Sequence, residues 1–108
     1  MYICFMDQVE IFKALSNKTR LSILQWLKDP GLHFPEYNPE HDKGMQDLGV
    51  CVGQIQQKAQ LTQSTVSEYL SLLQRTGLIE STRVGQWTYY KRNEAAFEEL
   101  KKLIDTEL

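Results

Sequence analysis

Thr62, Gln63, Ser64, Thr65 and Ser67 put five short hydrogen-bonding side chains within about two turns of one segment. In mid-helix such residues compete for the backbone's own hydrogen bonds, so their crowding marks the start of a helix. Behind them Val66, Leu70 and Leu73 keep the i, i+4, i+7 spacing of a buried stripe. The chemistry this offers is recognition of nucleic-acid edges. A Gln amide can pair bidentately with adenine, and hydroxyls reach either base edges or phosphate oxygens. A helix pinned by its apolar side, with polar groups toward its N-terminal end, suits insertion into a major groove. Thr62 reads as the helix cap, and Thr65 can share that role.

The neighbouring elements must position this helix. Asn17 caps a helix from Lys18 to about Lys28, ended by Asp29-Pro30-Gly31, with Leu21, Ile23, Leu24 and Leu27 apolar. Val9, Phe12, Ala14 and Leu15 suggest a shorter helix before it, from about Asp7. A short helix from about Val52 to Ala59 carries Val52, Ile55 and Ala59, and Gln60-Leu61-Thr62 turns it into the polar-tipped helix, a helix-turn-helix. Gly77 closes that helix. The β-branched and aromatic runs 78–83 and 86–91 flank Val84-Gly85 and read as a hairpin, or wing. Asn93 caps a last helix to about Thr106, whose wide stripe of Phe97, Leu100, Leu103 and Ile104 serves partly as core and partly as a dimer surface. The expected fold is mainly α with a small β-hairpin wing, a winged helix-turn-helix in one domain over 1–108. Its parts are a long loop at 30–48, the recognition region 61–77, the wing 78–91 and a dimerisation helix 94–107.

Charge is less decisive. Twelve Lys and Arg against fourteen Asp and Glu give a net charge of −2. The acids concentrate in 30–48 and 93–108, whereas Arg75, Arg83, Lys91 and Arg92 face Glu80 alone between 75 and 92. That is a modest local basic stripe of the kind a phosphate backbone selects. Arg83, Lys91 and Arg92 are expected at backbone or minor groove, and Lys18 and Arg20 near phosphate; an ion pair is the structural alternative for Arg20. No apolar run approaches the roughly 18 residues of a membrane span. The start lacks the features of a signal peptide, and two cysteines suit a reducing compartment. The expected location is cytoplasmic.

Three stretches together carry a family resemblance. Phe12-Lys13-Ala14-Leu15-Ser16-Asn17-Lys18-Thr19-Arg20-Leu21-Ser22-Ile23-Leu24 resembles the opening ALSDPTRLRIL of the ArsR/SmtB family of bacterial winged-helix repressors. Leu61-Thr62-Gln63-Ser64-Thr65-Val66-Ser67 with Tyr69-Leu70 is similar to its LSQSTVSxHL, and Gly85-Gln86-Trp87-Thr88-Tyr89-Tyr90 to its wing GRxVYY. The resemblance implies a homodimer built on the first and last helices, bound to an inverted-repeat operator in double-stranded DNA and usually repressing its own operon. Two residues depart from the pattern. Glu68 stands where a basic or neutral polar residue is usual and would repel phosphate unless it accepts from cytosine. Gln86 replaces the usual wing Arg. Both imply weaker or more salt-tolerant binding.

A sensor site is poorly represented. Where the family's cysteine site has two thiols, Gly49-Val50-Cys51-Val52-Gly53-Gln54-Ile55 keeps only Cys51. A Cys4–Cys51 pair across a dimer is one alternative, acting as a thiol or soft-metal switch; a small buried hydrophobe is the other reading of Cys51. The family's last-helix site is missing its histidines. His33 and His41 lie among Glu36, Glu40, Asp42 and Asp47 with no familiar ligand spacing. No resident metal or cofactor is expected, and no inducer can be named. There is no phosphate cradle and no Ser or Cys nucleophile placed beside a His, so an enzyme is not expected. Two further readings stay open: a protein-interaction module that has lost DNA, favoured by Glu68 and Gln86, and a small-molecule sensor closed by 30–48 and lined by Trp26, Phe34, Tyr37 and Trp87.

Overall fold

The computed structural model describes residues 8–34 and 48–108. The order is α1 (Gln8–Leu15), α2 (Lys18–Lys28), α3 (Pro30–His33), β1 (Val50–Cys51), α4 (Val52–Ala59), α5 (Gln63–Arg75), β2 (Ile79–Val84), β3 (Trp87–Arg92) and α6 (Glu94–Glu107). Helices on one side and a small antiparallel sheet with strand order β1-β3-β2 form a winged helix-turn-helix.

The helices start where side chains can replace missing backbone partners. The Asn17 carboxamide oxygen accepts from the Arg20 N–H at 2.9 Å, and the Asn93 oxygen accepts from Ala96 N–H at 3.4 Å. Asn93 does more than cap. Its backbone N–H donates to the Leu78 carbonyl at 3.0 Å and its side-chain amide donates to the Gly77 carbonyl at 3.1 Å. One residue therefore joins the end of α5, the start of β2 and the start of α6.

Between α4 and α5 the chain reverses through Gln60, which takes a left-handed conformation at φ 57° and donates from its N–H to Gln56 O at 2.9 Å. Gly77, at φ 84°, follows the C-cap of α5. The hairpin turn is Gly85-Gln86, one residue later than the Val84-Gly85 expected. Val84 pairs with Trp87, and Gly85 alone has positive φ (62°), the pattern of a type II′ turn.

The core is continuous across the elements. Ile11 and Ala14 of α1, Ile23, Leu24 and Leu27 of α2, and Ile55 of α4 meet Val66, Leu70 and Leu73 of α5. Phe34, Val50, the wing-base residues Leu78 and Ile79, and Ala96, Leu100 and Leu103 of α6 complete it. Burying each Val, Leu or Ile of this set contributes about 1.5–3 kcal/mol. Leu21, read from the sequence as part of the apolar stripe of α2, is instead exposed, because the buried face is the Ile23–Leu24–Leu27 side. Val9, Phe12 and Ile104 are also exposed.

The expected loop over 30–48 differs at its start, and a strand follows its end. Pro30 occupies the first turn of the short helix α3, a position that needs no N–H, and Phe34 is buried beside Trp26 in an edge-on contact with ring centroids 6.3 Å apart. Val50 and Cys51 add a third strand, pairing with Tyr90 and Tyr89. Gly49 makes this approach possible: it sits at φ +106°, and a Cβ there would lie 2.0 Å from the Tyr90 carbonyl oxygen.

Candidate nucleic-acid interface

The candidate reading surface begins with the cap of α5. Thr62 takes an extended backbone and its hydroxyl accepts from the Thr65 N–H at 3.3 Å. The same hydroxyl donates to Thr65 Oγ1 at 2.9 Å and lies 3.3 Å from Ser64 Oγ. Ser64 and Thr65 thus belong to the cap network, although each hydroxyl keeps further bonding capacity. Thr65 is half-buried, whereas Gln63, Ser64 and Ser67 are exposed.

Helical spacing extends this face farther than the sequence reading did. Ser64, Glu68, Ser71 and Arg75 follow one another at i, i+4, i+7 and i+11, and all are exposed. Ser71 escaped notice because a single mid-helix serine carries no cap or turn signal. Its position four residues after Ser67 was the available clue. Val66, Leu70 and Leu73 on the opposite side are fully buried, so the helix is held rigidly from behind.

The wing is registered against this helix. Gln74 Nε2 donates to Ser81 Oγ at 3.0 Å, linking α5 directly to β2. Cross-strand partners share a face of the sheet. Ile79–Arg92, Ser81–Tyr90 and Arg83–Thr88 alternate with Glu80–Lys91, Thr82–Tyr89 and Val84–Trp87. Ile79 is buried and Tyr90 packs on the core, which identifies the first set as the inner face. Burial raises the Tyr90 phenol above its ordinary value of 10.0, so it stays neutral across the physiological range.

The basic residues divide by what already holds them. Arg83 is exposed near the hairpin tip, where its Nε donates to the Gly85 carbonyl at 3.1 Å. Lys91 lies 3.6 Å from the Glu80 carboxylate, an exposed pair of small energetic weight. Arg92 departs from the phosphate-facing role expected of it. Its side chain is only 11% exposed, Nη2 donates to Glu94 Oε1 at 3.2 Å, Nε lies 3.1 Å from Oε2, and the guanidinium sits 3.7 Å from the Phe97 ring centroid. It fastens the wing to α6.

Arg20 differs from expectation in the same way. Its Nε and Nη2 donate to the Ala14 and Lys13 carbonyls at 2.8 and 3.1 Å, and its guanidinium lies 5.3 Å from the Tyr69 ring centroid. It closes the C-terminus of α1 and braces that helix against α5. Lys18 is exposed at the start of α2, and Gln86 is exposed in the hairpin turn. Arg92 is compensated by Glu94, and Arg20 keeps its charge but commits its donors to carbonyls, so fewer cations are available at the interface than a count of Lys and Arg suggests.

Cys51 is half-buried just before α4, and Cys4, His41 and Tyr37 lie outside the described residues. Among the described residues no group of three or more His, Cys, Asp and Glu gathers as a metal site would. No helix among them is long and apolar enough to cross a membrane. The aromatic residues named for a ligand pocket are divided: Trp26 and Phe34 pack together under the Lys58 ammonium, 5.3 and 5.9 Å from their ring centroids, while Trp87 stands at the wing tip.

Comparison with known proteins places this geometry. Residues 49–81, which hold β1, the helix-turn-helix and the start of the wing, match the model of "Bacterial regulatory protein, arsR family". An uncharacterised HTH-type transcriptional regulator of Bacillus subtilis, YbzH, is 50% identical over 103 residues, covering 95% of this chain and 100% of the relative. A putative arsenical resistance operon repressor of Halobacterium salinarum is 28% identical over 90% of this chain and 68% of its own length. Among solved structures, a homodimeric winged helix-turn-helix DNA-binding domain from Mycobacterium bovis superposes with a TM-score of 0.59 at 26% identity, covering 90% of this chain and 77% of that one. The chain belongs to the arsR family of bacterial regulatory proteins, DNA-binding transcriptional regulators rather than enzymes.

Proposed function

We propose that this regulator is a cytoplasmic homodimeric repressor that lays α5 of each subunit into a major groove of an inverted-repeat operator. The observation that carries this is the exposed polar row of α5, backed by the fully buried Val66, Leu70 and Leu73 and bonded to the wing through Gln74 and Ser81. Gln63 and Ser67 read base edges, with Ser64 and Thr65 contributing whatever their cap bonds leave free. Arg83, Lys91 and Lys18 contact the backbone. The two α5 helices of a dimer then address half-sites about one helical turn apart.

Dimerisation is supported by the exposed apolar side chains Val9 and Phe12 on α1 and Ile104 on α6, next to Leu108. Repression is supported by the repressor name of the halobacterial relative. The test is selection of bound fragments from the source genome, followed by footprinting and a promoter fusion. The expected result is a protected two-fold symmetric sequence and higher expression once the regulator is deleted. No enrichment at low salt overturns operator binding, and lower expression on deletion overturns repression.

A further inference from the structure

The outer face of the wing has a graded character, and its tip has no part in the contacts proposed so far. From base to tip its cross-strand pairs are the Glu80–Lys91 ion pair, then Thr82 with Tyr89, then Val84 with Trp87. The last pair is apolar and in water: Val84 is 50% exposed and Trp87 54% exposed. Neither belongs to the core or packs against it. A tryptophan in that position has a hydrophobic surface of high value and nothing of its own to cover it.

We propose that Trp87, supported by Val84, is a DNA contact at the wing tip, packing as an apolar wedge against sugars and an exposed base edge in the minor groove flanking the half-site. This rests on the operator-binding reading above. Three observations select DNA as the occupant. The hairpin that carries the tip is fixed to the recognition helix, because β2 is bonded to α5 through Ser81 and Gln74 on its inner face. Arg83, on the inner face of the same hairpin, is held at the tip by the Gly85 carbonyl, so a phosphate-seeking cation lies one residue from Val84. The patch is also only two side chains wide. A stable protein interface buries about 1,200–2,000 Å², whereas single apolar side chains are what minor-groove proteins insert at a base step. The ring replaces with packing some of the affinity that Gln86 does not supply as charge.

The test uses the full-length protein and a duplex enriched by selection with that protein. The chain has two tryptophans, so fluorotryptophan labelling gives two fluorine resonances, assigned with W87F. The Trp87 resonance is expected to shift on adding duplex while the Trp26 resonance stays. W87A should weaken binding about 10-fold or more, as loss of an aromatic–base contact does, with W87F close to wild type. The salt dependence of W87A should be unchanged, since no charge is lost. V84T should weaken binding less, in the same direction. Melting temperature and sedimentation of each variant should match wild type.

Equal affinity of W87A and wild type, with an unmoved Trp87 resonance on a duplex that wild type does bind, overturns the wedge and leaves the operator reading intact. Reduced dimerisation of W87A overturns it too, by making the tip a subunit contact. A wild-type protein that retards no duplex overturns the operator reading and the wedge together.

Discussion

At the scale of single residues, the reading face separates chemistry that discriminates from chemistry that merely attracts. Gln63 is exposed on the first turn of α5, with both its amide donors and its oxygen available for an adenine edge. Gln63→Ala is expected to relax base preference at one position per half-site and to cost about 1–3 kcal/mol there, read by binding to a panel of single-position operator variants. Arg83→Ala should weaken all duplexes alike and lower the salt-dependence slope by about 1. Glu68 sits on the same outward row as Ser64 and Ser71, so Glu68→Gln should tighten binding to every duplex; unchanged affinity would mean that its carboxylate faces away from the groove. Arg20 and Arg92 are the instructive cases. As letters they are cations near a DNA-binding helix, but one closes α1 and the other holds Glu94 and Phe97. A sequence shows charge and hides what already holds it.

At the scale of elements, what was legible depended on whether the signal was local. The caps Asn17, Thr62 and Asn93 were readable because a capping bond spans about one turn. The burial of Val66, Leu70 and Leu73 followed from their period. Strand β1 was not readable, because two residues carry no alternation and their partner lies far along the chain. The α3 turn was hidden because Pro, Gly and Leu at 30–32 look like punctuation until Phe34 is seen anchored beside Trp26. Two backbone positions make the distinction measurable. Gly49→Ala should destabilise the protein by more than about 2 kcal/mol in urea unfolding, since both the positive φ and the Tyr90 carbonyl oppose a side chain. Gln60→Gly should act oppositely, raising stability by about 1 kcal/mol through relief of the left-handed turn. A loss of stability in the second variant would show that the Gln60 side chain matters more than its backbone.

At the scale of the whole molecule, the proposed dimer rests on exposed apolar side chains of α1 and α6. Ile104→Asp is expected to shift the protein toward monomer in sedimentation and to weaken operator binding far more than any single base contact does, because two half-sites are then bound independently. Its melting temperature should also lose the dependence on concentration that an associating protein has. Alkaline conditions supply a second global effect. Tyr90 is raised by burial, so its contribution is complete below about 10 and fades as pH climbs through its higher native value. A Tyr90→Phe protein should lack that part of the alkaline decline in stability.

The bonds of Asn93 to Gly77, Leu78 and Ala96 carry one more consequence. In the proposed dimer they tie α6, which carries part of the subunit contact, to the end of α5 and the base of the wing. A change in how the two copies of that dimer lean on each other would then swing both probes at once, like the jaws of calipers sharing a hinge. Such a device is sensitive to the spacing between half-sites before it is sensitive to their letters, and inserting a single base pair at the centre of the operator should be harder to forgive than a substitution within either arm.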